Sequence, residues 1–342
     1  MSRKQSRSVS LALQGGGAHG AFTWGVLDAL LDEDFSFDGV TGTSAGAMNA
    51  VCLAQGLMAG GRDGAREALR NFWTAVAATS PFQNMFDENG KASATAKMMA
   101  QWANYLTPEQ INPMDINPLR DIIEQQIDFP ALRKRSPIRL FIAATHANSG
   151  KLRIFHNDSL SADALLASAC LPTIHRTIYI NRQPFWDGGY SANPAVFPLV
   201  YDCDASDILL VLLTPLRYQE APVTADHIRE RLGELAFNST FLREMRMFAH
   251  MREYVTRSRL PDWLVKRLPH GRLGWRVADL RFHAISAEKF LGAMPVESKG
   301  NMSMDFFSTL FDEGRAVARR WLRRNRHEVG RNQTLNLTKV FY

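Results

Sequence analysis

Two short runs of this sequence hold residue types suited to acyl transfer. Gly42-Thr43-Ser44-Ala45-Gly46 matches GxSxG, the pattern of a serine in a strained turn between a strand and a helix, where flanking side chains would clash. Upstream, Gly15-Gly16-Gly17-Ala18-His19-Gly20 is a glycine loop in the same context, ending one strand and opening one helix. Lacking Cβ atoms, its successive N–H groups can turn toward one point at a helix N-terminus, where the dipole also favours negative charge. Such a nest holds an oxyanion as readily as a phosphate.

The phosphate alternative fails a second test. Gly15, Gly17 and Gly20 satisfy GxGxxG, but a dinucleotide site also wants an acid closing the next strand, about 20 residues on. Asp38 instead precedes Val40, and that strand runs into Gly42. A Walker loop is excluded because no Gly-Lys-Ser/Thr follows the glycines.

A serine nucleophile needs a base. None of the nine histidines has a signature that places it: His146 and His156 fall in strand-like segments, and His227, His250, His270 and His327 in polar or basic ones. Phe185-Trp186-Asp187-Gly188-Gly189 is more pointed, with a carboxylate between a strand-like pair and two glycines. On local sequence alone Asp187 reads equally as a base and as the turn residue of an Asp-Gly hairpin.

The elements that must position these residues follow from periodicity. Short apolar runs predict strands over 8–14, 37–43, 139–145, 152–156, 177–180, 208–214 and 281–286. Helical spacing predicts helices over 20–31, 45–58, 118–127, 161–170, 225–252 and 304–326. Two strand-to-helix units within the first sixty residues argue for an α/β fold with a mostly parallel sheet. Residues 80–118 break into polar turns with a short helix over 94–105 and read as a lid or cap over a cleft.

With 46% hydrophobic and 22% charged residues in 342, disordered, collagenous and coiled-coil classes are excluded. Three cysteines without CxxC spacing make neither a disulfide framework nor a thiolate zinc site, and fit a reducing compartment. The basic start is followed by an uncharged run at 9–13, too short for a signal-peptide core, and 208–213 falls far below a membrane span. A soluble, cytoplasmic protein is expected. The net charge of +6 is concentrated late: residues 243–342 carry 20 Lys and Arg against 10 Asp and Glu. Over 304–326 an apolar stripe (Phe307, Leu310, Phe311, Val317, Trp321) runs beside Arg315, Arg319, Arg320, Arg323, Arg324 and Arg326. With Trp263 and Trp275 upstream among basic residues, this pattern suits adsorption to anionic lipid, and it suits equally a helix packed on the domain with its arginines in solvent. No nucleic-acid-binding signature competes with it, and none is expected as a partner.

Taken in order and spacing, Gln14-Gly15-Gly16-Gly17-Ala18-His19-Gly20, Gly42-Thr43-Ser44-Ala45-Gly46 and Asp187-Gly188-Gly189 resemble the three signatures of patatin-like phospholipases. Residues 166–172 (LASACLP) resemble the family too. The resemblance spans roughly 8–215 as a catalytic domain and leaves 216–342 as a helical, basic region packed on it. It implies a three-layer fold, a mostly parallel central sheet flanked by helices, and a serine lipid acyl hydrolase acting on phospholipids or lysophospholipids. It makes Ser44 the nucleophile and Asp187 the base, without histidine. Gly15, Gly16 and Gly17, with Ala45, become the oxyanion donors, and His19, Gly20, Gly42, Gly46, Gly188 and Gly189 support the site. No cofactor or metal is implied, and contact with an anionic membrane is peripheral. Two alternatives stay open: hydrolysis of another hydrophobic ester, such as a storage polyester or neutral glyceride, and a non-catalytic membrane-binding regulatory module. One departure stands out, since the family usually has Arg or Lys where this chain has His19. An imidazole there predicts a pH dependence near neutrality, which His19→Arg would flatten.

Overall fold

A computed structural model describes residues 7–79, 93, 105–218, 221–257 and 276–342. In chain order its elements are β1 (Arg7–Leu13), α1 (Gly20–Leu30), β2 (Phe35–Thr43), α2 (Ala45–Thr79), α3 (Pro118–Gln126), α4 (Phe129–Arg135), β3 (Arg139–His146) and β4 (Leu152–His156). There follow α5 (Ala162–Ser168), β5 (Ile178–Ile180), β6 (Gln183–Asp187), α6 (Phe197–Asp202), β7 (Asp207–Leu212), α7 (Ala225–Arg257), β8 (Arg281–Ser286), α8 (Met304–Asn325) and α9 (Leu337–Phe341). The strands form one sheet in the order β5-β6-β3-β2-β1-β7-β8, with β4 also on β3.

Both faces of this sheet are covered, and β1 shows why its sequence alternates as it does. Val9, Leu11 and Leu13 enter one core with Phe22 of α1, Val51 of α2 and Leu310 of α8. Ala12, on the opposite face, joins a second core with Leu199 of α6, Phe241 of α7 and Leu337 of α9. Successive side chains of a strand point to opposite faces, so strands buried on both sides read as unbroken apolar runs. Asp207–Leu212, entirely buried, is such a run. The outcome is an α/β fold with a central sheet between two helical layers.

Strand β3 sets the relation between the two chemistry-bearing segments. Along 139–143 it pairs in parallel with β2, along 141–145 antiparallel with β4, and along 144–146 antiparallel with β6. Where β4 overlaps both others, it must occupy the opposite edge. Hence β2 and β6 share one edge of β3 and meet end to end. Thr43 lies opposite Ala143, and Asp187 opposite the next residue, Ala144.

The apolar stripe of α8 is not free for lipid, which corrects the sequence expectation. Phe306, Phe307, Leu310, Gly314, Ala318 and Leu322 are buried against α1. The two helices approach through reciprocal glycines: a Cβ on Gly25 would collide with the Phe311 carbonyl, and one on Gly314 with the Phe22 carbonyl. Charges hold the same crossing. Asp28 of α1 is paired by Arg315 and by Arg66 of α2, Asp32 by Arg319 at 3.3 Å, and Glu33 by Arg326 at 3.3 Å. Trp263 and Trp275, and the helix read at 94–105 save its last residue, lie outside the described residues. Of the proposed lid, the described part from Tyr105 on holds one exposed turn, Pro108–Ile111, whose neighbours Asn112 and Pro113 accept from Arg176.

Some elements depart from their predicted extents. Helix α2 runs on past residue 58 to Thr79 through a break at Gly60 and Gly61, the latter at φ 63°. The helices α4, α6 and α9 are short and lack a full amphipathic period. Because α8 is seated on α1 through Gly314 and Gly25, Gly314→Val is expected to lower stability by about 3 kcal/mol, read as a fall in the urea midpoint. Arg324→Gln, on the exposed side of the same helix, changes it by less than about 0.5 kcal/mol.

Candidate active site

Ser44 sits at φ 53° between β2 and α2, a left-handed conformation that non-glycine residues rarely hold. Three features hold it there. A Cβ on Gly42 would collide with the Gly46 backbone, and one on Gly46 with the Leu13 carbonyl, so strand and helix touch at this turn. Its carbonyl accepts from Ala47 at 2.9 Å and starts α2. Its N–H donates to the Ser168 hydroxyl at 3.0 Å. This is the strand-turn-helix that GxSxG predicts. Gly20 stands behind it, where a Cβ would press on Ala45 and Trp73.

Asp187 ends β6 beside this turn, for the register reason given above. Its carboxylate is 1% exposed and lies within hydrogen-bonding reach of the Ser44 hydroxyl. Gly189 N–H donates to it at 2.7 Å. Gly188 lies tight over β3, where a Cβ would collide with the Ala143 carbonyl. Burial raises the Asp187 pKa to about 7, against the opposing hydrogen bonds from Gly189 and Ser44. A carboxyl of that pKa is a far better proton acceptor near neutrality than an ordinary aspartate. Among the described residues no histidine hydrogen-bonds Ser44 or Asp187, and no His/Cys/Asp/Glu cluster could hold a metal ion.

The glycine loop is fixed by two buried amides that the motif search did not single out as functional. Asn193 accepts the Gly15 N–H through Oδ1 at 2.7 Å and donates to the Gly15 carbonyl at 3.4 Å. Gln14 Oε1 accepts from Leu213 N at 2.6 Å and Thr214 N at 2.9 Å, while its Nε2 donates to the Asn193 carbonyl and to Asn238. Gly15 N–H is thus already engaged, which corrects its expected place among the oxyanion donors. No acceptor holds the N–H groups of Gly16, Gly17 or Ala45 among the described residues. Gly17 is at φ 58°, with the Lys299 carbonyl where a Cβ would stand. Both features require glycine.

His19 overturns the charge expectation. It is 2% exposed, and burial followed by the nearby Lys299 charge pulls its pKa down to about 3. The ring is therefore neutral throughout the physiological range and titrates nowhere near neutrality. His19→Arg would bury a guanidinium beside Lys299, so it would disturb the loop rather than flatten a pH profile. Ser168 and Asn193 had a weak signal, being small polar residues in apolar or turn contexts.

Desolvation of Asp187 also acts on stability. A folded pKa above the unfolded one means the native state holds the proton more tightly, so its contribution to stability is fully present below about pH 4. That contribution is lost as pH rises through about 7. Asp187→Asn is expected to melt higher than the parent at pH 8, with the gain shrinking toward pH 4. Thermal unfolding of both proteins at the two pH values measures it.

The family model described as patatin-like phospholipase matches residues 11–200, more than half the chain. Among solved structures, VipD from Legionella pneumophila matches at 12% identity and a TM-score of 0.39, covering 91% of this chain and 67% of its own. The type III effector protein ExoU matches at 14% identity and a TM-score of 0.33, covering 90% of this chain and 53% of its own. No curated protein matches the chain in sequence, and no described helix is long and apolar enough to cross a membrane. The matched span carries the glycine loop, the serine turn and the Asp187 strand together, and the chain belongs to the patatin-like phospholipase family of lipid hydrolases.

Proposed function

We propose that this chain hydrolyses acyl esters of phospholipids or lysophospholipids through a Ser44–Asp187 dyad. The carrying observation is the Ser44 hydroxyl beside a buried carboxylate whose pKa stands at about 7. Ionised Asp187 takes the proton as Ser44 Oγ attacks the ester carbonyl. The negative charge that develops on the carbonyl oxygen is received by the N–H groups of Gly16, Gly17 and Ala45. Collapse expels the alcohol, which recovers the proton from Asp187. Water then repeats the sequence on the acyl-enzyme and releases the fatty acid. Backbone donors fixed in advance require no reorganisation at the moment of reaction, and each contributes on the order of 10²–10³ in rate.

An apolar lipid partner is supported by the outer face of α7. Ile228, Leu232 and Leu235 are 42%, 61% and 50% exposed, whereas Glu234 on the other side of the helix is paired with Tyr218 and Lys299. Less than one turn after Leu235, Phe237 packs on Tyr190 and over Gly189. Phe237 is on the inward face with Glu234, so α7 is seated beside the Asp187 side of the site with its apolar stripe turned outward. Peripheral contact with a membrane is part of this reading, through α7 in place of the buried stripe of α8.

Ser44→Ala and Asp187→Asn are each expected to abolish hydrolysis of a soluble ester and of phospholipid. The double variant loses no more, because the pair acts as one unit. A fluorophosphonate probe should label the parent and not Ser44→Ala. Loss of activity from a single histidine substitution to the level of Ser44→Ala, with the fold intact, would replace the dyad with a triad. The acid limb of kcat/KM should fall near pH 7, since only ionised Asp187 accepts the proton. Leu232→Asp should lower turnover of vesicle phospholipid severalfold while leaving soluble-ester turnover within about twofold. Equal loss on both substrates would count against α7 as the lipid-facing element.

A further inference from the structure

Residues well beyond the family match lie directly on the oxyanion loop. Pro295 to Asn301 form a tight turn in which Ser298 is completely buried. Ser298 Oγ is 2.8 Å from His19 Nε2 and donates its own proton to the Pro295 carbonyl at 2.6 Å. With that hydroxyl hydrogen committed, Ser298 can only accept from the ring, so His19 carries its proton on Nε2. Among the described residues the other ring nitrogen, Nδ1, is buried with no partner. A ring with one satisfied nitrogen has a single orientation that keeps its hydrogen bond.

That orientation bears on the reacting geometry. The backbone N–H of the residue that carries this ring donates to the Gly16 carbonyl at 3.2 Å, closing the turn that holds Gly16 and Gly17. The next residue of the strap, Lys299, lays its carbonyl against Gly17. Its ammonium lies 3.6 Å from Glu234 of α7, whose neighbour Asn238 holds Gln14. The strap thus presses the loop from outside while Gln14 and Asn193 hold it from within.

We propose that Ser298 is a positioning residue for the oxyanion hole, acting through the ring of His19 on the Gly16–Gly17 turn. The proposal rests on the dyad reading above. Ser298 touches no reacting atom. Its contribution is to keep two N–H vectors aimed where charge develops, which affects the transition state more than the bound ester. A merely structural role would lower the melting temperature and leave kcat of the folded fraction unchanged.

The test is steady-state hydrolysis of a short-chain p-nitrophenyl ester by the full chain, with folded protein quantified by thermal melting. Ser298→Ala should lower kcat roughly tenfold or more with KM within about twofold. Gln places a donor near the position of the imidazole Nε2, so His19→Gln should keep more kcat than His19→Leu. In the Ser298→Ala background that difference should vanish, as expected when the two side chains act through one bond. Unaltered kcat in Ser298→Ala, or a Gln-to-Leu difference that persists without Ser298, overturns the proposal. If Ser298→Ala gives no folded protein, the His19 pair decides alone, and equal kcat in both overturns it. An active Ser44→Ala overturns the dyad reading and this proposal with it. An inactive Ser44→Ala beside an unaltered Ser298→Ala overturns this proposal alone.

Discussion

The site depends on β2 and β6 meeting end to end on one edge of β3. Parallel β2 delivers its last residue, Thr43, opposite Ala143, and antiparallel β6 delivers Asp187 opposite Ala144. Each strand ends because the other occupies the edge beyond it. The residue that follows β2 and the residue that ends β6 are thereby forced together, though 143 positions apart in the chain. Everything chemical follows from keeping both ends tight, which is why Gly42, Gly46 and Gly188 have no room for a side chain.

The junction also determines the electrostatics. Among the described residues Asp187 is paired with no cation; the Gly189 N–H donates to it and the Ser44 hydroxyl lies within reach. Two hydrogen bonds to the charged form do not offset complete burial, so the balance leaves a carboxyl of pKa about 7. Compare Asp207, also buried but bonded to Arg281, His283 and Gly330, whose pKa is held at about 2. The fold therefore contains one aspartate held as an anion by its partners and another whose pKa stands near neutrality, as the proposed proton transfer needs. Asp207 has charged partners that hold its pKa down, and Asp187 has none among the described residues. The absence of a compensating charge at Asp187 destabilises the ionised native state, and that cost is the same physical quantity as its basicity.

Legibility in the sequence followed the range of each interaction. The turn at Ser44 and its glycines was readable because a tight turn imposes its requirements on adjacent residues, whereas Asp187 read equally as a hairpin turn until the three motifs were taken together. The parallel sheet was readable because strands such as Asp207–Leu212 are buried on both faces. Gly15 could not be removed from the donors by inspection, because its N–H is engaged by Asn193, which is 178 positions away. Nor could His19 be read as neutral, since its environment is built by Ser298 and Lys299. The stripe of α8 misled for a related reason. Apolar residues at helical spacing beside arginines describe a helix on a membrane and a helix on a protein equally well. Acids at Asp28 on α1 and at Asp32 just beyond it decide between them.

The part of the chain outside the family match is therefore not an appendage to a finished catalytic unit. Strand β8 extends the sheet beyond β7, and α8 closes the core over α1. Gln14 reaches forward to Leu213, Thr214 and Asn238, all past residue 200 where the match ends. A loop that offers bare N–H groups to a substrate cannot bond those groups to itself, so its rigidity must come from neighbours that hold its carbonyls and side chains instead. In this chain Asn193 supplies one such neighbour from within the match, and Leu213, Thr214, Asn238, Ser298 and Lys299 supply others from beyond it, so a truncation at the end of the family match would remove supports of the loop while leaving every motif residue in place.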